Sequence, residues 1–402
     1  MTETGEETAA EGRAGRRYLL TFGIVVAVVT VIVAGINIAA FQLMVRPENA
    51  AIVQLLDGWS RIYKPILYDA AKPQAVLFGR SYARDAFDPE EFEKITGLRM
   101  FNFAVSGGAP YENRRFAESA AWNPDLKAVI LNLDSFQQPP ASPKTYFGFD
   151  ESILNVTPEG EPNPWVGLSR AAATILSGSA VGNNIQLLWT LARRAAGASK
   201  EELLPSYERR ESRPGDEKLE DARARVFPDV PPPPVAIGPL PTAAETSGLP
   251  ELDAAIDLFC DRDIDIFVYV TPDGAAGCGR PAELRLQALA YLKGRQNTCQ
   301  GRLHFYDFQY PNALTLEGIA SEVPLSRYYR PDGHPRPTVG DVMAAVMFGR
   351  PLPAGTSPAI AADFGTDLLA EPDPVAWWQR RLPRCTGAWL EADRAAVLGG
   401  AN

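Results

Sequence analysis

The chain opens with a polar stretch, MTETGEETAAEGRAGRR, and then runs from Tyr18 to Val45 without a charged side chain. About 20 apolar residues in a helix cross the hydrocarbon core of a bilayer. This run is longer, so it predicts one transmembrane helix over 18–45, with residues 1–17 as a tail. From Ile52 to Ala71 polar and apolar positions mix (IVQLLDGWSRIYKPILYDAA), which predicts an amphipathic, membrane-proximal helix within residues 46–72. A different rhythm then begins. The short apolar run Ala75–Phe78 stops at Gly79, and a helix start follows, with Asp88 at the N-cap, Pro89 at the first helical position and the helix reaching Ile95. Strands are predicted over Arg99–Val105 and Leu126–Leu133, with a helix over Pro110–Ala121 between them. The near-continuous apolar character of LKAVILNL fits a strand buried on both faces.

Between Phe136 and Leu249 the rhythm breaks. Helices are predicted over Trp165–Leu176 and Asn184–Ala196. A charged stretch, Glu201–Arg225, and a proline-rich tract, Asp229–Pro241, come next. This segment, about 137–248, reads as a solvated insertion with an extended linker, because such tracts rarely pack into cores. The alternation resumes with a helix at Glu251–Cys260, a strand at Ile264–Thr271, a helix at Pro281–Arg295, a strand at Leu303–Phe308 and a closing helix at Thr338–Phe348. Alternating strands and helices predict an α/β fold with a mostly parallel sheet and right-handed crossovers. One α/β domain over 73–350 and a C-terminal extension over 351–402 follow from this pattern.

Composition narrows the picture. The formal net charge of −10 argues against sequence-independent nucleic-acid binding, which needs Lys/Arg surfaces. Arg13, Arg16 and Arg17 precede the apolar run and only Arg46 follows closely, so the N-terminus is expected in the cytoplasm and the rest outside it. A cleaved signal peptide, with Ala39-Ala40 at the cleavage site, would have an apolar region of roughly 7–15 residues. This one is longer, so a retained single-pass anchor in a bacterial inner membrane, with a periplasmic domain, is the expectation. Four cysteines suit an oxidising compartment. Cys260 and Cys299 each close a helical segment just before an apolar strand and are expected to pair, leaving Cys278 with Cys385. No Cys/His spacing suggests a metal site, and no cofactor is expected.

Three segments fall where an open sheet binds ligands, at the carboxyl ends of its strands. They are Gly79-Arg80-Ser81, Asn102-Phe103-Ala104-Val105-Ser106-Gly107-Gly108, and Tyr329-Arg330-Pro331-Asp332-Gly333-His334-Pro335. Acyl transfer needs a nucleophile, a base, a group that orients the base, and donors for the oxyanion. Ser81 is the candidate nucleophile, His334 the base and Asp332 the orienting carboxylate. Backbone N–H groups of Ser81 and Gly107 are the candidate oxyanion donors, and Gly108 reads as a turn glycine. Only two histidines exist. The other, His304, lies in the strand pattern LHFYDF and reads as a satisfied core residue.

These blocks resemble the SGNH (GDSL-type) hydrolase superfamily. Gly79 and Ser81 match its first block, Asn102, Ser106 and Gly107 its second, and Asp332 and His334 its last. The likeness spans roughly 73–136 and 250–348. It implies a flavodoxin-like three-layer α/β/α fold and an activity of the membrane-anchored, periplasmic esterase/O-acetyltransferase kind. The substrate would be an acylated cell-envelope carbohydrate, and a transferase would draw its acyl group from a multi-spanning donor protein. The chain departs from the family pattern at three places. Arg80 replaces the usual Asp, and Asn132-Leu133-Asp134 stands where an oxyanion Asn is expected. Asp332 and His334 are two apart rather than three. Asp134 and Asp307 are alternative partners for His334. The same departures define the alternative function, a scaffold of an envelope polysaccharide assembly that kept the fold while its site decayed.

Overall fold

The computed structural model of the chain describes residues 3–57, 60–137, 143–175, 177, 180–204, 249–272, 282–310, 312, 314–315, 328–330 and 334–381. The first helix, α1 (Glu3–Met44), extends well into the polar tail, and its 15–44 portion is long and apolar enough to cross a membrane. Side chains from Tyr18 to Ile32 are exposed, whereas Asn37, Ala40 and Met44 are buried against the rest of the chain.

The single helix expected over 52–71 is two, α2 (Pro47–Leu55) and α3 (Ser60–Ala71). Leu56 leaves the helical region at φ −74°, ψ 140°. The following Asp57-Gly58 is turn-forming, and Gly costs about 1 kcal/mol in a helix interior relative to Ala.

Five parallel strands form one sheet: β1 (Ala75–Phe78), β2 (Met100–Asn102), β3 (Ala128–Asn132), β4 (Asp265–Val270) and β5 (Leu303–Asp307), in the order β2-β1-β3-β4-β5. Ala75 pairs with Met100 on one side and Ala128 on the other, and the register continues through Asp265 and on to Leu303 opposite Ile266. The second strand is shorter than its apolar run. Ala104 N–H turns to its own strand's Asn102 Oδ1 at 3.1 Å, and Val105 N–H goes to Gly79 O at 3.1 Å.

Alternate strand residues serve two cores, as the two-residue period of a strand requires. Val76, Phe78, Val129, Leu131 and Val268 join Phe103, Phe116 of α6 (Pro110–Ala120) and Phe259 of α10 (Leu249–Cys260). Leu77, Ile130, Phe267 and Tyr269 join Phe87, Phe92 of α5 (Pro89–Thr96) and Met343 of α12 (Pro337–Met347). The α5 start is as expected: the Asp88 carboxylate accepts from Glu90 N–H at 2.8 Å. Between β1 and α5 lies a helix with no sequence forecast, α4 (Ser81–Ala86).

Cys260, at the end of α10, is bonded to Cys299, beyond α11 (Ala282–Arg295), across a separation of 39 residues. Cys278 and Cys385 lie outside the described residues, so their expected pairing does too.

The insertion corrects the sequence reading. Its helical part is packed, not a solvated excursion. Helices α7 (Val166–Ile175) and α8 (Ala180–Ala195) lie against α1, and Arg170 donates to Asp69 of α3 at 2.6 Å. The short α9 (Lys200–Leu203) follows, with Lys200 paired to Asp88 and Glu90. The proline-rich tract lies outside the described residues.

In the C-terminal extension, α13 (Pro358–Asp363) packs Ile360 into the second core, and the segment leading to α14 (Pro374–Gln379), with α14 itself, covers the β5 edge. Leu368 N–H donates to Phe305 O at 2.8 Å, and Trp378 Nε1 donates to Asp307 Oδ2 at 2.7 Å. His304 is satisfied as expected but lies only partly buried, with Nδ1 2.8 Å from Asp367 Oδ2 and its ring stacked on Phe267.

Asp341 on α12 packs against α5. Burial, then the carboxylates of Glu91 and Asp88, push it up to about 7 against the pull of Lys200 and Lys94. A carboxyl raised in the folded state contributes its full stability below its ordinary value near 4 and loses it as pH rises toward 7. Asp341→Asn is therefore expected to raise the unfolding midpoint above neutral pH, by on the order of 2 kcal/mol of stability. It should leave the midpoint unchanged near pH 4, where both side chains are neutral. Calorimetric scans of the two proteins across this range check it.

Candidate functional site

The three predicted segments meet at the carboxyl edge of the sheet. Ser81 begins α4 directly after β1 and Gly79. A Cβ on Gly79 would stand 2.5 Å from Ala83 Cβ and 3.0 Å from Asn132 Cβ, so only glycine lets α4 start this close to β3. His334 lies where the chain returns toward α12. Arg330 N–H donates to His334 O at 2.8 Å, Arg336 N–H donates to Tyr328 O at 2.8 Å, and Tyr329 bridges to Pro335. Pro335 and Pro337 have fixed φ and stiffen this return.

Ser81 Oγ lies 3.0 Å from His334 Nε2. The Tyr82 ring stacks on the imidazole at 4.2 Å between centroids and 18° between planes. Both Ser81 and His334 are partly exposed, within reach of solvent or substrate. Asp332 lies outside the described residues. Asp134 Oδ2 accepts from Thr271 N–H at 2.9 Å and from Asn132 Nδ2 at 3.1 Å. Asp307 accepts from Gln309 N–H and Trp378 Nε1 and pairs with Arg285 at 3.6 Å, so its carboxylate serves the β5 edge.

The second segment leaves β2 in a tight bend. Gly107 has φ +65°, a left-handed conformation that glycine adopts without cost. Gly108, expected to serve only the turn, has a further role: a Cβ there would be 2.8 Å from Gly79 O. Among the described residues, no group accepts from the backbone N–H of Ser81 or Gly107, which leaves both donors available. Asn132 ends β3, and its Nδ2 is committed to Thr271 Oγ1 at 2.7 Å and to Asp134. It is not offered as an oxyanion donor. Asn102 is structural, donating to Arg84 O at 3.1 Å and Phe87 O at 2.8 Å and so holding the end of α4.

What brings the segments together is a pair of adjacent residues that the sequence did not single out. Arg84, one turn after Ser81, donates to Ser106 Oγ at 2.7 Å and to the carboxylates of Asp85 and Asp57. Asp85 also accepts from Arg330 at 2.7 Å, whose own N–H donates to His334 O. Arg84 therefore ties α4 to the Gly107 loop, and Asp85 ties it to the histidine. Burial opposes the Arg84 charge, and Asp85 and Asp57 outweigh it. The available sequence signal was a charged Arg-Asp pair one helical turn past a candidate nucleophile. Beneath the same loop, Arg61 donates to Ser106 O at 2.8 Å and clasps Glu112 with two bonds. Lys64 donates to Ala104 O at 2.5 Å, and burial, with Arg84 nearby, pushes its ammonium well below the usual range.

Beside the site is a cavity of about 420 Å³. Asp57, Lys64, Arg84, Asp85 and Arg330 line it together with apolar side chains of α2, α3 and α8, among them Leu55, Leu67 and Leu187. It thus reaches the helix that begins at Ser81 and the cluster that ties the loops. The arrangement offers a hydroxyl, an imidazole at hydrogen-bonding distance, two open backbone donors and an adjoining space. No family model, curated protein or solved structure matches the chain.

Proposed function

We propose that the chain is an SGNH-like serine O-acyl esterase or O-acetyltransferase, with a flavodoxin-like three-layer fold, acting on cell-envelope carbohydrate. One observation carries the reading: Ser81 Oγ and His334 Nε2, 253 residues apart in sequence, lie 3.0 Å apart. In the mechanism, the Ser81 hydroxyl donates its proton to Nε2 as Oγ attacks the ester carbonyl. The Ser81 and Gly107 N–H groups hold the developing oxyanion, each such donor being worth about 3 kcal/mol of barrier. The imidazolium returns the proton to the departing alkoxide, which leaves an acyl-serine. His334 next takes a proton from water or a sugar hydroxyl, which attacks the acyl-serine; the bond to Oγ breaks, the imidazolium returns the proton to Ser81, and acid or acylated sugar is released. Asp332 is assigned to orient the imidazole. The α1 helix anchors the domain on the periplasmic side of a bacterial inner membrane, with the N-terminus in the cytoplasm. In the transferase form, a multi-spanning partner supplies the acyl group.

A second reading, a scaffold that kept the fold without the activity, draws on Asn132. Its amide is tied to Thr271 and Asp134, so Asn132 supplies no oxyanion donor. Treatment of the full-length protein with a fluorophosphonate separates the two. Labelling that disappears in Ser81→Ala supports the enzyme, and no labelling of the folded wild type supports the scaffold. Acyl release measured with and without sugar acceptors then separates esterase from transferase.

A further inference from the structure

Outside α1, six large apolar side chains stand strongly exposed among the described residues. Four of them, Trp165, Leu168, Ile185 and Trp189, belong to the α7–α8 hairpin or its approach, each at least 53% exposed. They form stripes. Trp165, Leu168 and Ala172 recur along α7, and Ile185, Trp189 and Ala192 along α8, at the spacing of one helix face. Among the described residues from 164 to 192, the exposed positions carry no charge and a single polar side chain, Gln186. Arg170, the charged residue of α7, turns inward to Asp69 and to Ile153 O. Thr174 and Thr190 donate their hydroxyls to carbonyls of their own helices at 2.7 and 3.0 Å and lie off the outward faces, Thr174 buried and Thr190 on the cavity.

The hairpin is joined to α1 at depth. Asn37 donates to Ile175 O at 2.9 Å and to Ser177 O at 3.1 Å, and accepts from Asn184 Nδ2 at 2.7 Å. Asn37 lies seven residues before Met44, the last residue of α1, which is roughly 10 Å down the helix from its end at 1.5 Å per residue. Measured back from these bonds along α8 and α7, Trp189 and Trp165 lie roughly 8 and 15 Å away. That brings both tryptophans near the level where the apolar span ends, the depth at which tryptophan collects in membrane proteins. Charge returns on α8 only at Arg193, in the register of phosphate headgroups.

We propose that α7 and α8 sit with α1 in the outer leaflet of the bilayer, their outward faces covered by phospholipid acyl chains. The insertion is then a second membrane element beside the anchor. It holds the domain in one orientation on the surface, and α8 forms one wall of the cavity beside Arg84 at lipid depth. The inference rests on α1 being an anchor and does not depend on the chemistry assigned to Ser81.

The test uses the full chain reconstituted in vesicles of phosphatidylcholine and phosphatidylglycerol with brominated acyl chains, which quench tryptophans within the hydrocarbon. The expected result is strong quenching in the wild type, loss of its greater part in the Trp165→Phe/Trp189→Phe double variant, and no loss in Trp122→Phe. Exposed positions and a conservative replacement keep the double variant folded, and α1 keeps it on the vesicle. Quenching that is weak in the wild type, or unchanged in the double variant, overturns the proposal. So does cross-linking of the two faces between copies of the chain in the vesicle, which would make the cover a second protomer. Failure of the wild type to float with vesicles removes the anchor and the proposal with it.

Discussion

His334→Gln is expected to slow the fluorophosphonate labelling of Ser81 about a thousandfold while leaving the unfolding midpoint unchanged. A positioned base typically contributes 10²–10⁴-fold. Glutamine can keep a hydrogen bond to Ser81 Oγ but cannot accept its proton at a useful rate. The chain has one other histidine, and His304 is committed to Asp367 on the β5 edge. No second imidazole can therefore step in. The side chain is partly exposed and stacked on Tyr82, so its replacement creates no large cavity. Labelling rates and calorimetry on the same preparations check both halves of the expectation. An unchanged rate would show that His334 does not activate Ser81, and the hydrolytic mechanism would fall.

Gly340→Ala is expected to cost about 3 kcal/mol of stability and to disable the site with it. Gly340 lies in the second turn of α12, where a Cβ would stand 1.8 Å from Ala86 O and 2.6 Å from Ala86 C. Those are backbone atoms at the end of α4 and cannot swing aside as a flexible side chain could. Either α12 backs away from the second core, losing contacts of Met343 and Val339, or α4 shifts and carries Ser81 with it. Gly294→Ala in α11 is the internal control. Nothing lies within 4 Å of its added Cβ, and the helix should gain about 0.5–1 kcal/mol. Denaturant melts of the two variants should move in opposite directions. Equal midpoints for Gly340→Ala and wild type would mean that α12 and α4 are not packed backbone against helix as described.

The two experiments probe the same construction from different sides. Ser81 is the first residue of a six-residue helix, too short to be stable alone. It is held at its end by Asn102, from below by Gly340, and laterally by Arg84 and Asp85 through Ser106 and Arg330. The geometry of the hydroxyl is therefore a property of four segments, none of which could impose it alone.

Much of the framework was legible in the sequence. Its signals are local: a charge-free run for α1, apolar runs for β1, β3, β4 and β5, and the Asp88-Pro89 start of α5. The strands and the α5 start persist in the folded chain to within a few residues, because strand burial and helix capping are decided by neighbours along the chain, whereas α1 ends as expected but begins at Glu3 in the polar tail. The Cys260–Cys299 bond was readable for the same reason, since both cysteines precede adjacent parallel strands. Ser81 and His334 could be nominated by residue type and position after a strand. Their 3.0 Å separation could not, because it depends on strand order and on how tightly two loops close. Helix α4 and the docking of α7 and α8 on α1 carried no local signal, and the signals at Leu56 (the Asp57-Gly58 pair) and at Arg84–Asp85 (adjacent opposite charges) were too short to decide the outcome. Each is stabilised by groups at least 20 residues away or, at Leu56, by a turn that the helical pattern around it concealed. By itself, then, the sequence determined the apolar first helix, the strands and the identity of the hydroxyl and imidazole that meet at the sheet edge, all written in short-range patterns of polarity and residue type. Where those groups meet, and what the insertion packs on, was decided by tertiary structure, because those energies arise between segments that the chain order keeps apart.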